Sequence, residues 1–251
     1  MGQFVTLQAG DDTTFHIDIE HLSVLTAVRD DGSAEQRSTV RFTQNVHAES
    51  LPFPVSDFET TVAVLVDDIT AKGFDLVCIP YVWGQDQDVG YFFVNPAHVQ
   101  GIMVSDPRQD EGDSEPHVGL LVDVHGGDRV ESYRVPVSVV ETLVKKVEAI
   151  KPDLMRFESS EYGSRWPGDQ GYTIIDASEV REVRQNGYDA DLYFYNGARI
   201  DFTLDRGDTV VEERDNYLQR FLNKLQGADR SLQDVVQAMG GNLNRLYART
   251  S

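Results

Sequence analysis

Carboxylates are the side chains this sequence offers most freely for chemistry. Two adjacent pairs, Asp67-Asp68 and Glu212-Glu213, have the type and spacing for acid–base work. Both fall within amphipathic runs, on the side away from the apolar stripe, so a solvated face open to a partner is expected instead. A denser group, Asp106, Asp110, Glu111, Asp113 and Glu115, lies in the segment 105–116, which Pro and Gly punctuate. It departs from the calcium-loop pattern, which needs Asp-x-Asp-x-Asp-Gly and a terminal Glu. A mobile exposed loop is expected there.

The other reactive types are sparse. Cys78 stands alone in an apolar segment, so no internal disulfide forms, and a buried core thiol is expected rather than a nucleophile. A single thiol fits a reducing, cytoplasmic setting. The histidines are His16, His21, His47, His98, His117 and His125. A metal held by His16, His47 and a carboxylate is the one grouping to weigh, and no metal or cofactor is expected. The sequence has no P-loop, no G-x-G-x-x-G after a strand, no H-E-x-x-H, no C-x-x-C and no G-x-S-x-G, so no catalytic residue is assigned. Trp83 and Trp166, with Tyr81, Tyr91, Tyr162 and Tyr172, cluster just beyond opening strands, where they serve either as partner anchors or as caps on the sheet ends.

These residues are positioned by a repeated pattern. Ile17-Asp18-Ile19-Glu20-His21-Leu22-Ser23-Val24-Leu25 matches Val94-Asn95-Pro96-Ala97-His98-Val99-Gln100-Gly101-Ile102 and Ile175-Asp176-Ala177-Ser178-Glu179-Val180-Arg181-Glu182-Val183. Each reads aliphatic, Asp or Asn, two variable, His or Glu, Leu or Val, two variable, aliphatic. A second landmark follows: Pro54-Val55-Ser56-Asp57-Phe58-Glu59-Thr60 and Pro136-Val137-Ser138-Val139-Val140-Glu141-Thr142 agree at five of seven positions. Ser-x-x-Glu there predicts a capping box, and Thr209-Val210-Val211-Glu212 stands at the third place.

The pattern predicts opening strands over 4–8, 76–82 and 154–158. Hairpins are expected over 118–124 with 130–135, over 192–195 with 199–204 around Asn196-Gly197, and over 39–42 with 46–51. Helices are predicted from the stripes Phe58, Val62, Leu65, Val66, Ile69; Val140, Leu143, Val144, Val147, Ile150; and Tyr217, Leu218, Phe221, Leu222, Leu225. The expected fold is α+β: three tandem ββββα repeats, each a small antiparallel meander capped by one helix. They span 1–73, 74–151 (with the acidic insertion 105–116) and 152–227. A helical tail over 228–251 follows. Such small units are expected to pack on one another as a pseudo-threefold body.

Charge bounds the partners. The net charge is -20, from 42 acids and 22 bases. The three segments carry -8, -7 and -6 and the tail +1, so the acidity is not confined to a tail. Direct binding to nucleic acid or to an anionic membrane is disfavoured. No apolar run is long enough for a membrane helix, and residues 1–6 lack the marks of a signal peptide. Scarce lysine (five residues) also fits a salt-adapted or GC-rich composition.

The stretch from Phe93-Val94-Asn95-Pro96 through Val147 resembles the small FlbD/SwrD-type domain of flagellar loci. It shares the Asn-Pro step, the hairpin with a Gly turn and the Ser-x-x-Glu helix start. The rhythm is loosely similar to LytTR units, whose DNA-facing basic surface this acidic chain lacks. The resemblance implies a fold and no role.

The function expected is a non-catalytic acidic protein that binds a basic surface, for example that of a nucleic-acid-binding protein. Its sharpest form is a DNA-mimic inhibitor of a nuclease or defence complex, of phage or mobile-element type. A structural, self-associating homo-oligomer and an enzyme of unrecognised type are the alternatives. The partner-facing candidates are Asp106, Asp110, Glu111, Asp113, Glu115, Asp67, Asp68, Glu212, Glu213, Trp83 and Trp166.

Overall fold

A computed structural model describes residues 3–8, 13–29, 38–44, 53–55, 57–83, 88–125, 129–151, 154–158, 171–186, 189–194 and 199–203. Fifteen strands and two helices run through them, and every strand pairing is antiparallel, an α+β architecture. The third expected helix and the tail lie outside the described residues.

Three hairpins form: β1 (Phe4–Gln8) with β2 (Thr14–Asp18), β6 (Val77–Trp83) with β7 (Asp88–Val94), and β11 (Leu154–Glu158) with β12 (Tyr172–Asp176). In β1 the alternation is plain: Val5 and Leu7 are buried and their neighbours exposed. Three meanders follow them in the chain. They are β3 (Leu22–Val28), β4 (Thr39–Gln44) and β5 (Phe53–Pro54); β8 (Val99–Val104), β9 (His117–Val124) and β10 (Arg129–Pro136); and β13 (Val180–Asn186), β14 (Asp189–Phe194) and β15 (Arg199–Thr203). The expected partner of β4 over 46–51 lies outside the described residues, and β4 pairs with β5 instead.

The repeated motif breaks into two strands rather than one, so five strands, not four, precede each helix position. The reason is local. Asp18, Asn95 and Asp176 each turn a carbonyl-type side-chain oxygen onto the backbone N–H two residues on, at 3.0, 3.1 and 3.0 Å. That bond offers the chain a turn in place of the ladder. In the second case Pro96 opens a 3₁₀ turn, where its missing N–H costs nothing. Each following strand then carries a bulge at the same motif position, Ser23, Gln100 and Arg181.

Helix α1 (Phe58–Ala71) buries Phe58, Val62, Leu65 and Ile69, and α2 (Val137–Ile150) buries Val140, Leu143 and Val147, as the periodicity predicts. Each such side chain contributes about 1.5–3 kcal/mol. Ile150, expected on the stripe, is exposed at the last turn. The expected capping box is absent at the start of α2, while Ser56 and the third box over 209–212 lie outside the described residues. Asp57 caps α1, accepting from Thr60 N at 3.4 Å. Pro136 stands at the start of α2 with no side-chain cap bond, and Ser138, already inside the helix, donates to Glu115 instead.

Two five-stranded sheets run β5-β4-β3-β7-β6 and β10-β9-β8-β12-β11. Each takes three strands from one meander and two from the next hairpin, so the ladders cross the expected boundaries at 73/74 and 151/152. One apolar cluster joins β1 through β5, Phe93 and α1; the other joins β6 through β10, α2, Val24 and Ile174. Among the described residues no helix is long and apolar enough to cross a membrane.

Candidate interaction site

The acidic segment 105–116 joins β8 to β9 and is exposed, as expected, but it is bonded to itself. Ser105 and Gly119 exchange two bonds, at 2.9 and 2.6 Å. Arg108 and His117 pair through both backbone N–H groups at 2.7 Å. A turn then closes from Asp113 N to Asp110 O at 3.1 Å, with Gly112 at φ +97°, a conformation that favours glycine.

Arg134 of β10 clamps this turn. Its Nη2 donates to both Asp113 oxygens, at 2.7 and 2.8 Å, and its Nη1 lies 3.3 Å from Asp110. Partial desolvation pushes the Asp113 carboxyl up, but the Arg134 bonds, the Asp110 N–H and the charges of Arg134 and His117 outweigh it. The carboxyl is held below its usual range. Ser138 Oγ donates to Glu115 at 2.9 Å.

The five loop carboxylates therefore divide. Asp113 and Glu115 are tied to the scaffold, Asp110 is bridged yet 71% exposed, Glu111 is exposed, and Asp106 is half-buried. Sequence reasoning missed Arg134. Its signal was weak, because a bulge between Ser132 and Val135 turns Tyr133 and Arg134 outward together and breaks the alternation.

The remaining candidates are not gathered here. Asp67 is exposed on α1, and the adjacent Asp68 forms an ion pair with Lys72. Trp83 ends β6, its side chain not described, and Trp166, Glu212 and Glu213 lie outside the described residues. Cys78 is exposed rather than buried. The pleat of β6 turns Val77 and Ile79 into the core and Cys78 outward, into an open hollow of about 250 Å³ that Val139, Thr142 and Lys146 also line. Its surroundings still raise the thiol pKa through desolvation, the opposite of activation.

A second polar cluster sits where one sheet is stitched to the next. Ser23, fully buried in its β3 bulge, bonds His98 Nδ1 at 2.9 Å. Asn95 donates to Leu22 O, and its backbone N–H to Ser23 O, both at 2.9 Å. The rings of His98 and His125 lie 5.4 Å apart. Burial first, then the charges of His125, His21 and Lys151, press the His98 pKa down to about 4. Burial also lowers that of His125, against the pull of Glu179 and Asp176. At the next junction Lys151 Nζ donates to Asp176 at 2.8 Å, the two side chains only 10% and 4% exposed.

A fully buried serine bonded to Nδ1 is a packing contact and no exposed nucleophile. The two motif counterparts part company: His98 packs against Ser23, while His21 is exposed. Among the described residues no three His, Cys, Asp or Glu side chains converge to hold a metal ion, and His47 lies outside them. No family model, no curated protein and no solved structure matches the chain.

Proposed function

We propose that this chain is a non-catalytic acidic interaction protein that receives a basic surface, such as that of a nucleic-acid-binding protein. DNA mimicry is its sharpest form. The clamped turn carries the reading: Arg134 bridges Asp110 and Asp113, and on the turn so held Asp110 and Glu111 are exposed. A partner then meets a turn whose backbone is already held, which lowers the cost of ordering it on binding. The net charge of -20 adds long-range steering toward cations.

We also infer that the body is three tandem copies of one unit. The support is the recurrence of hairpin, Asx turn, bulge and meander in the same order at Asp18–Ser23, Asn95–Gln100 and Asp176–Arg181. The likeness to FlbD/SwrD-type domains remains part of this proposal at the level of fold. A cytoplasmic setting, resting on the single thiol, belongs to it too.

The test is capture of DNA-binding proteins from the native host on the immobilised chain, followed by binding measurements with the purified captured protein. Affinity should fall as salt rises, a DNA duplex should compete, and Asp110→Lys with Glu111→Lys should weaken binding by about tenfold or more. A partner held equally at low and high salt, or indifferent to the double reversal, overturns the reading.

A further inference from the structure

The two internal junctions obey one rule. The second strand of a hairpin adds to the first strand of the preceding meander. The residue before the Asx position stands opposite the residue after the bulge: Val94 opposite Val24, and Ile175 opposite Gly101. From there the register runs on antiparallel, Phe93 opposite Leu25 and Ile174 opposite Ile102.

The described residues hold three hairpins and three meanders, but only two such junctions. Left over are β2, the second strand of the first hairpin, and β13, the first strand of the last meander. Among the described strands β2 pairs with β1 alone and β13 with β14 alone. Both keep the landmarks of the junction: Asp18 makes its Asx bond at the end of β2, and Arg181 forms the bulge of β13.

Burial separates these strands from their paired counterparts. All six residues of β8 are buried, and four of the five in β12. No residue of β2 is buried, and from 180 to 184 in β13 only Val180 and Val183 are. The first hairpin is also anchored where it stands, since β1 packs on α1 and Phe15 and Ile17 lean on the same apolar cluster.

We propose that β2 of one copy of this chain adds to β13 of a second copy, head to tail, and so rebuilds the five-stranded sheet seen twice inside the chain. The junction rule fixes the register: Ile17 opposite Glu182, His16 opposite Val183, Phe15 opposite Arg184 and Thr14 opposite Gln185. Strand addition supplies main-chain hydrogen bonds, and the alternate side chains set the register. The interface is heterologous, so repetition either closes a ring or extends a filament.

Charge allows this contact and sets its salt dependence. On β13 itself two arginines, Arg181 and Arg184, stand against one acid, Glu182, so this strand carries a small local excess of base within a negative chain. The two bodies still repel at -20 each, and screening removes that repulsion. Self-association therefore tightens with salt, whereas binding of a basic partner loosens. The two proposals fail separately.

The experiment uses the full chain with Cys78→Ser as background. Two variants, Thr14→Cys and Gln185→Cys, are mixed and mildly oxidised, with Glu148→Cys replacing the second as control; Glu148 is exposed on α2. The expected result is a disulfide-linked dimer from the first mixture, several-fold above the control and rising with salt. Sedimentation of the Cys78→Ser chain should show a mass that grows with concentration. A strict monomer with no cross-linking above control overturns the proposal. A chain carrying both cysteines that closes only on itself and stays monomeric also overturns it, and assigns the β2–β13 pairing to a single copy.

Discussion

The junction between sheets and the loop beyond β8 are both built from polar side chains, and they work in opposite ways. At the junctions the charged pair is enclosed: Lys151 and Asp176 share one bond almost without water. At the loop the cluster is more open: Arg134 and Asp110 are 46% and 71% exposed, and only Asp113 is largely covered. In a chain of net charge -20 the loop is where a sequence draws the eye, yet the coupling that matters to stability lies where few charges are. Burial decides the size of an electrostatic effect, because water screens the exposed pair and cannot reach the enclosed one.

The largest break in this contrast should come from Lys151→Met. It leaves Asp176 buried without its cation and should cost about 3 kcal/mol in chemical denaturation. A loss below about 1 kcal/mol would mean that water enters the junction. Next comes Asn95→Ala, which removes the bond to Ala97 N and the donor to Leu22 O. It should destabilise by about 2 kcal/mol, and a drop confined to the second half of a two-step unfolding curve would count against its joining of the two sheets.

Much of this was legible beforehand, and the pattern of what was not is physical. Strand and helix stripes follow from periodicities of two and 3.6, so β1, β11 and the buried face of α1 stand where the sequence placed them. The pairing of β3 with β7 was hidden, since alternation says which face a strand buries and nothing about which strand lies beside it. The exposure of Cys78 is hidden for a related reason: an apolar run says a strand is buried on one side, while the pleat decides which residue looks out. The loop carboxylates were legible by type, and their clamp was not, because the Arg134 bulge obeys no period.

Acid sharpens the comparison further. His98 in the folded chain holds its proton only below about pH 4, whereas the unfolded ring takes one near 6.5. The group thus binds fewer protons folded than unfolded, so its contribution is intact above pH 6.5 and is lost as pH falls toward 4. With allowance for its partial exposure, the loss is roughly 1–2 kcal/mol. Denaturation at several pH values should show the decline, and His98→Gln should flatten it. The smallest effect belongs to the loop: Arg134→Ala should lower stability least of these variants, and the loss should fade with salt. A larger, salt-resistant loss would erase the distinction between clamp and junction.

The stitching of each sheet from two stretches of chain has a consequence for synthesis. Val24 must wait for Val94 before its edge is covered, and Gly101 for Ile175. Emerging from a ribosome, the first meander therefore passes through a period with a bare flank, and closure over such sequence separations is slow compared with forming a hairpin. Each newly made hairpin ends that period for the stretch before it, so the protein matures one step behind its own translation.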